Sequence, residues 1–131
     1  MSFSYEVAAR TLWQEARGEP LDGQKAVASV IWNRLKDGRW GRTLASVCLW
    51  KGQFSGWYMP HDPNFAGACS LAEDDKTLCR MRDIIAGAHS EADMTGGATH
   101  YYAVSIDPPA WVQGAIFCGQ FGHHKFYRGV K

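Results

Sequence analysis

The dipeptide Glu19-Pro20 does most to constrain the fold, because it interrupts what would otherwise be one long amphipathic helix. Proline pushes the residue before it out of helical geometry and has no backbone N–H to donate. Upstream, Tyr5, Ala8, Leu12 and Ala16 recur at helical spacing, with Ser4 placed to cap the segment and Gly18 to end it. This pattern predicts a helix over 4–17. Downstream, Ala26, Val27, Val30, Ile31 and Leu35 form a second apolar stripe, predicting a helix over 22–36 that stops near Gly38. Two helices therefore flank a tight turn.

The rest of the chain reads as a short helix over 43–50, a Gly-, Pro- and aromatic-rich loop over 52–67, and a long helix over 74–90. In that last helix Leu78, Met81, Ile84, Ile85 and Ala88 point inward. After a turn at Gly96-Gly97, segments 98–104 and 116–127 predict strands of a small antiparallel sheet, separated by the Asp107-Pro108-Pro109 loop. The expected class is α+β, mainly helical. A length of 131 residues without repeat or linker predicts one domain over 1–131.

A formal net charge of +1 with no basic stripe argues against nucleic acid as a partner. No window approaches the ~20 apolar residues of a membrane span. The N-terminus lacks a charged region followed by an apolar run, so no signal peptide is expected and another agent would have to deliver the protein to any extracytoplasmic target. Cys48, Cys69, Cys79 and Cys118 are spaced too widely for a zinc knuckle or a redox pair. Free thiols are expected over a Cys69–Cys79 bridge. Six Trp, five Tyr and six Phe exceed what so small a core needs, which leaves rings to line a groove for planar or sugar ligands.

Glu15 is the informative anomaly. With Ala8 and Leu12 it follows helical spacing, which puts its carboxyl beside the apolar stripe rather than on the solvated face. Partial desolvation disfavours the charged form and keeps a proton available near neutral pH, as a glycosidic general acid requires. The competing reading is a helix-terminal carboxylate paired with Arg10 or Arg17, and spacing alone leaves both open.

The run Glu15-Ala16-Arg17-Gly18-Glu19-Pro20 is followed by Gly23-Gln24-Lys25-Ala26-Val27-Ala28 and Asn33-Arg34, and then by Gly52-Gln53-Phe54-Ser55. Further on come Gly97-Ala98-Thr99-His100-Tyr101-Tyr102 and Gly122-His123-His124-Lys125-Phe126-Tyr127. Together these resemble the cell wall hydrolase family typified by the spore cortex-lytic enzyme SleB, over nearly the whole chain and in the same order. The resemblance implies a lysozyme-like domain with Glu15 catalytic. It also implies cleavage of peptidoglycan glycan strands between N-acetylmuramic acid and N-acetylglucosamine, often with a 1,6-anhydro end and without metal or organic cofactor. A bare domain of this kind resembles a phage endolysin, made in the cytoplasm and released to the wall, and is expected to act as a monomer.

Glu19 lies four residues from Glu15, but Gly18 and Pro20 should break the register. A structural role is favoured, its carboxylate accepting backbone or Arg bonds near the start of the second helix. Gln53 and Ser55 are candidates to bond acetamido groups of a glycan, and Trp57 or Tyr58 to pack on a ring. If Tyr101 and Tyr102 alternate on a strand, one of them faces Glu15. His100, His123 and His124 with His61 and Asp62 invite a zinc reading, but the spacing does not support it, and strand alternation predicts opposite faces for His123 and His124. His124 is instead expected to be a satisfied histidine at the substrate groove. The rival functions are a hydrolytic muramidase, a cysteine peptidase using Cys69 or Cys118, and a noncatalytic peptidoglycan-binding module.

Overall fold

The computed structural model describes residues 2–57 and 62–131. Helix α1, Phe3–Ala16, is the hub: α2 (Leu21–Asp37), α3 (Leu44–Leu49), α4 (Pro63–Ser70) and α5 (Lys76–Ser90) all pack on it. It can serve four neighbours because its buried positions include Ala8, Ala9 and Ala16, whose small side chains let helices approach closely, while Val7 and Leu12 fill the volume between them. Ala26, Val27, Val30 and Ile31 of α2 and Leu78, Met81 and Ile85 of α5 complete this core. Burying each larger aliphatic side chain contributes ~1.5–3 kcal/mol.

The helix boundaries follow local chemistry. Ser2 caps α1 by accepting from the Tyr5 amide, so Ser4 lies inside the first turn and is not the cap. Gly18 supplies no left-handed residue; the helix ends at Arg17 in right-handed geometry, and the Glu19 amide then bonds back to Ala16. By contrast α2 does end on a left-handed glycine, Gly38, with φ +88°. Thr43 and Ser46 form a reciprocal capping box on α3.

The stretch 52–67, expected as loop, contains a 3₁₀ turn at Ser55–Trp57 and the start of α4. Asp62 caps α4 and Pro63 occupies its first turn, where a missing N–H costs nothing. The stretch 116–127, expected as one strand, is a hairpin. Strands β2 (Ile116–Phe121) and β3 (His124–Arg128) turn at Gly122, and β1 (His100–Ala103) adds on the other side of β3, giving the antiparallel order β1-β3-β2. The inner face of the sheet carries Phe126, fully buried, with Tyr101 and Phe121 against the helices. The outer face gathers Tyr102, Tyr127 and Val130 beneath Trp111. No described helix is long and apolar enough to cross a membrane.

Candidate active site

Glu15 is on the last turn of α1, facing the inner side of the sheet. The Tyr101 hydroxyl donates to its Oε1 at 2.5 Å. Neither arginine considered as a partner reaches it. Arg10 pairs with Glu6 at 3.1 Å and donates to the Ala68 and Leu71 carbonyls, while Arg17 stacks over Trp13 and donates to Asn64. Desolvation pushes the Glu15 carboxyl pKa up, opposed by the Tyr101 bond and by the charges of His124 and Arg34, and reinforced by the nearby Asp62 carboxylate. Among the described residues Glu15 has one tyrosine donor and no salt bridge, an environment that favours the protonated form more than that of an ordinary surface carboxylate does.

Tyr101 is placed by β1. Alternation points Tyr101 inward and Tyr102 outward, where it stacks on Tyr127 at 5.9 Å between ring centroids, on the opposite face from Glu15. Burial and the adjacent Glu15 raise the Tyr101 pKa well above its ordinary value, so the phenol remains a donor. Its ring sits edge-on to His124 at 5.1 Å and beside Phe126 at 5.3 Å.

Behind this pair stands Arg34 of α2, only 5% exposed. Its Nε donates to the Thr99 carbonyl at 2.7 Å, and its guanidinium lies 5.1 Å from the ring centroids of both Trp40 and Phe54. Its Nη1 has no hydrogen-bond partner among the described residues. Burial lowers its pKa, yet from so high a starting point that it stays cationic. Sequence reasoning noted Asn33-Arg34 only as part of a motif. The signal for more was an arginine at the spacing of the apolar stripe.

Glu19 is bonded as a structural carboxylate, but its donors are not arginines. Oε1 accepts from the His123 amide at 2.6 Å and meets His124 Nδ1 at 3.2 Å, while Oε2 meets His123 Nδ1 at 2.9 Å. These bonds hold its pKa down against desolvation. His123 belongs to the β2–β3 turn rather than to a strand, so alternation does not apply and both histidines converge on one carboxylate. His100 lies apart, on the outer side between Trp40 and Trp111, where burial and the nearby arginines pull its pKa to about 4.

The loop candidates are placed less uniformly. Gln53 is partly exposed, with its backbone N–H donated to the Trp50 carbonyl. Trp57 packs its ring on the helical core and donates its indole N–H to Thr11 at 2.7 Å, which leaves that polar edge already used. The Ser55 side chain, Tyr58 and His61 lie outside the described part. Gln14, unremarked in the sequence, is buried beneath Gly56, and its amide has no partner among the described residues. Any side chain at 56 would strike that amide. All four cysteines are free thiols: Cys48 is buried and pushed to about 12, Cys118 is raised by burial, and Cys69 and Cys79 are exposed.

The cell wall hydrolase family profile matches residues 18–127, a stretch that begins just after Glu15. The spore cortex-lytic enzyme of Oceanobacillus iheyensis is 27% identical over 127 residues, covering 92% of this chain and 40% of that protein. The corresponding enzyme of Halalkalibacterium halodurans is 27% identical over 121 residues, covering 92% and 33%. The chain thus spans well under half the length of these curated relatives. Among solved structures, the catalytic domain of the germination-specific lytic transglycosylase SleB from Bacillus anthracis superposes with a TM-score of 0.76 at 25% identity, covering 98% of this chain and 97% of that one. The SleB catalytic domain of Bacillus cereus matches with the same score and identity over 95% and 89%. The lysozyme-like α+β expectation agrees with this fold, and the profile match over most of its length shows that the chain belongs to the cell wall hydrolase family.

Proposed function

We propose that the chain cleaves the β-1,4 bond between N-acetylmuramic acid and N-acetylglucosamine in bacterial peptidoglycan, as a lytic transglycosylase with Glu15 as its acid and base. The observation that carries this reading is the Glu15 environment: a desolvated carboxyl with a raised pKa, held by Tyr101 and free of any salt bridge among the described residues. Likeness to a solved lytic transglycosylase domain over 98% of the chain supports it. Glu15 protonates the glycosidic oxygen, the C1–O bond breaks, and positive charge develops at the muramic acid anomeric carbon. The 6-hydroxyl of that same sugar then attacks C1 and gives its proton to the Glu15 carboxylate, which restores the acid. An attacking group already held in the bound substrate has a large entropic advantage over free water. No step calls for a metal or organic cofactor. Gln53, Ser55, Trp57, Tyr101, Tyr102 and His124 were the expected substrate contacts. Tyr102 faces away and Trp57 is turned toward the core, which leaves Gln53 and the Tyr101–His124 edge for that role.

A hydrolytic muramidase is the second reading, favoured by one observation: the Asp62 carboxylate is close enough to raise Glu15, although one of its oxygens caps α4 by accepting from the Asn64 amide at 2.7 Å. Mass spectrometry of digested peptidoglycan separates the two. Fragments ending in 1,6-anhydro-N-acetylmuramic acid, one water lighter than the reducing sugar, support transglycosylation. Reducible N-acetylmuramic acid ends alone overturn it in favour of the muramidase, and new N-acetylglucosamine ends reject the proposed bond. An endolysin role, as a monomer acting on the wall after release from the cytoplasm, belongs to the same proposal. Lysis of expressing cells only when the membrane is permeabilised supports it, and lysis without permeabilisation contradicts it.

A further inference from the structure

The turn between α1 and α2 is joined to the β2–β3 turn, 104 residues away, through a single carboxylate. Glu19 keeps 11% of its side chain exposed and collects three contacts there: the His123 amide, His123 Nδ1 and His124 Nδ1. The junction is built around it. A Cβ on Gly122, where φ is +61°, would lie 2.5 Å from Glu19 Oε1 and 3.1 Å from Pro20, and one on Gly23 would lie 3.1 Å from Glu19 Cβ. Both glycines let two turns close on the carboxylate.

What lies beyond the junction gives it meaning. An ionised carboxylate can only accept, so both ring Nδ1 atoms must carry protons. In neutral His124 that leaves the lone pair on Nε2. Held this way, the His124 ring stands perpendicular to the Tyr101 ring, with centroids 5.1 Å and planes 87° apart. Tyr101 in turn donates to Glu15.

We infer that Glu19 is a positioning residue for the reaction: by gripping the hairpin turn and His124 it fixes the Tyr101 ring, and through it the orientation of the Glu15 carboxyl. The role rests on the reading of Glu15 as the catalytic acid. A scaffold that only needed to tie two turns together would be served by any acceptor for the His123 amide. Glu19→Gln keeps one oxygen for both the His123 amide and His124 Nδ1 and turns its N–H₂ to the exposed His123 ring. By contrast, His124→Gln removes only the His124 branch and leaves the bond from the His123 amide to Glu19, so it separates the two roles, and Glu19→Ala removes both. Groups facing Glu15 besides Tyr101 are His124 on β3, Arg34 on α2 and Asp62 before α4, and Glu19→Ala replaces none of the four.

The test compares Glu19→Ala, His124→Gln and the double variant on soluble glycan chains, beside the Tyr101 ring signals and the His124–Tyr101 ring contact seen by NMR in the substrate-free protein. Tyr102, on the outer face, is the internal reference. Expected is a fall of about 10-fold in kcat for each single variant, with apparent KM within about 2-fold in Glu19→Ala, and a double variant no slower than about the worse single one. Tyr101 signals should move while those of Tyr102 stay. Unchanged Tyr101 signals in Glu19→Ala, wild-type kcat in either single variant, or losses that multiply in the double variant overturn the proposal. Should Glu19→Ala fail to fold, the kcat and Tyr101 signals of His124→Gln decide by the same criteria. The NMR readout needs no turnover, so the link from Glu19 to Tyr101 is measured even if Glu15 proves not to be the acid.

Discussion

The Tyr101 hydroxyl, on β1, donates a 2.5 Å hydrogen bond to Oε1 of Glu15, at the end of α1. Bonding to the carboxylate favours the charged form and opposes the desolvation that raises the Glu15 pKa. Tyr101→Phe should therefore raise that pKa further, so the alkaline limb of the activity profile moves to higher pH. Loss of the orienting bond should lower kcat roughly 10-fold, the equivalent of about 1.4 kcal/mol. A profile that moves to lower pH, or full activity without the hydroxyl, would contradict this assignment.

Burial of Glu15 has a stability signature that needs no activity. Its folded-state pKa is raised, so the native protein binds the proton more tightly than the unfolded chain. Its contribution is fully present below the unfolded pKa and is lost as pH rises through the folded value. Glu15→Gln should accordingly melt at a higher temperature than wild type at neutral pH, and the gap should shrink on acidification through that window. Melting curves recorded across pH check it; a gap that does not depend on pH would mean that Glu15 is not desolvated.

Gly122→Ala probes the junction of Glu19 with the hairpin. The residue adopts φ +61° and an added methyl would press on Glu19 Oε1. The expected loss is ~1–3 kcal/mol of stability from backbone strain and crowding. Denaturant unfolding measures it, and a neutral substitution would show that the two turns are not held as closely as described.

These residues also mark how far the sequence could be read. Glu15 was visible because helical spacing put an acid beside an apolar stripe, and α2 because Pro20 and Gly38 bracket its stripe so plainly. Helix α4 was hidden: its cap and first residue, Asp62-Pro63, sit in a stretch whose glycines and aromatic residues read as loop. The hairpin was missed because alternation runs on through 116–127; of the two glycines there at positive φ, Gly119 lies within β2 where its register shifts and Gly122 makes the turn. That turn also defeated the alternation argument for His123 and His124. The choice between Tyr101 and Tyr102, and the burial of Arg34 between Trp40 and Phe54, depend on which sheet face meets α1, a tertiary fact with no local signature.

Reagents directed at thiols and metals should leave activity essentially unchanged. Cys69 and Cys79 are exposed and will be alkylated, while Cys48 is buried with its thiol pushed to about 12. Inactivation by alkylation with the fold intact would favour a cysteine peptidase. Loss on chelation that zinc restores would favour a metal-dependent amidase.

The most direct test of the central claim is the release of soluble fragments from purified peptidoglycan by Glu15→Gln beside wild type, with circular dichroism confirming the fold of each. The amide preserves volume but has no proton to donate, and general acid catalysis contributes ~10²–10⁴ in rate, so nearly all release should disappear. Retention of more than about half of the wild-type rate would place the chemistry on another residue.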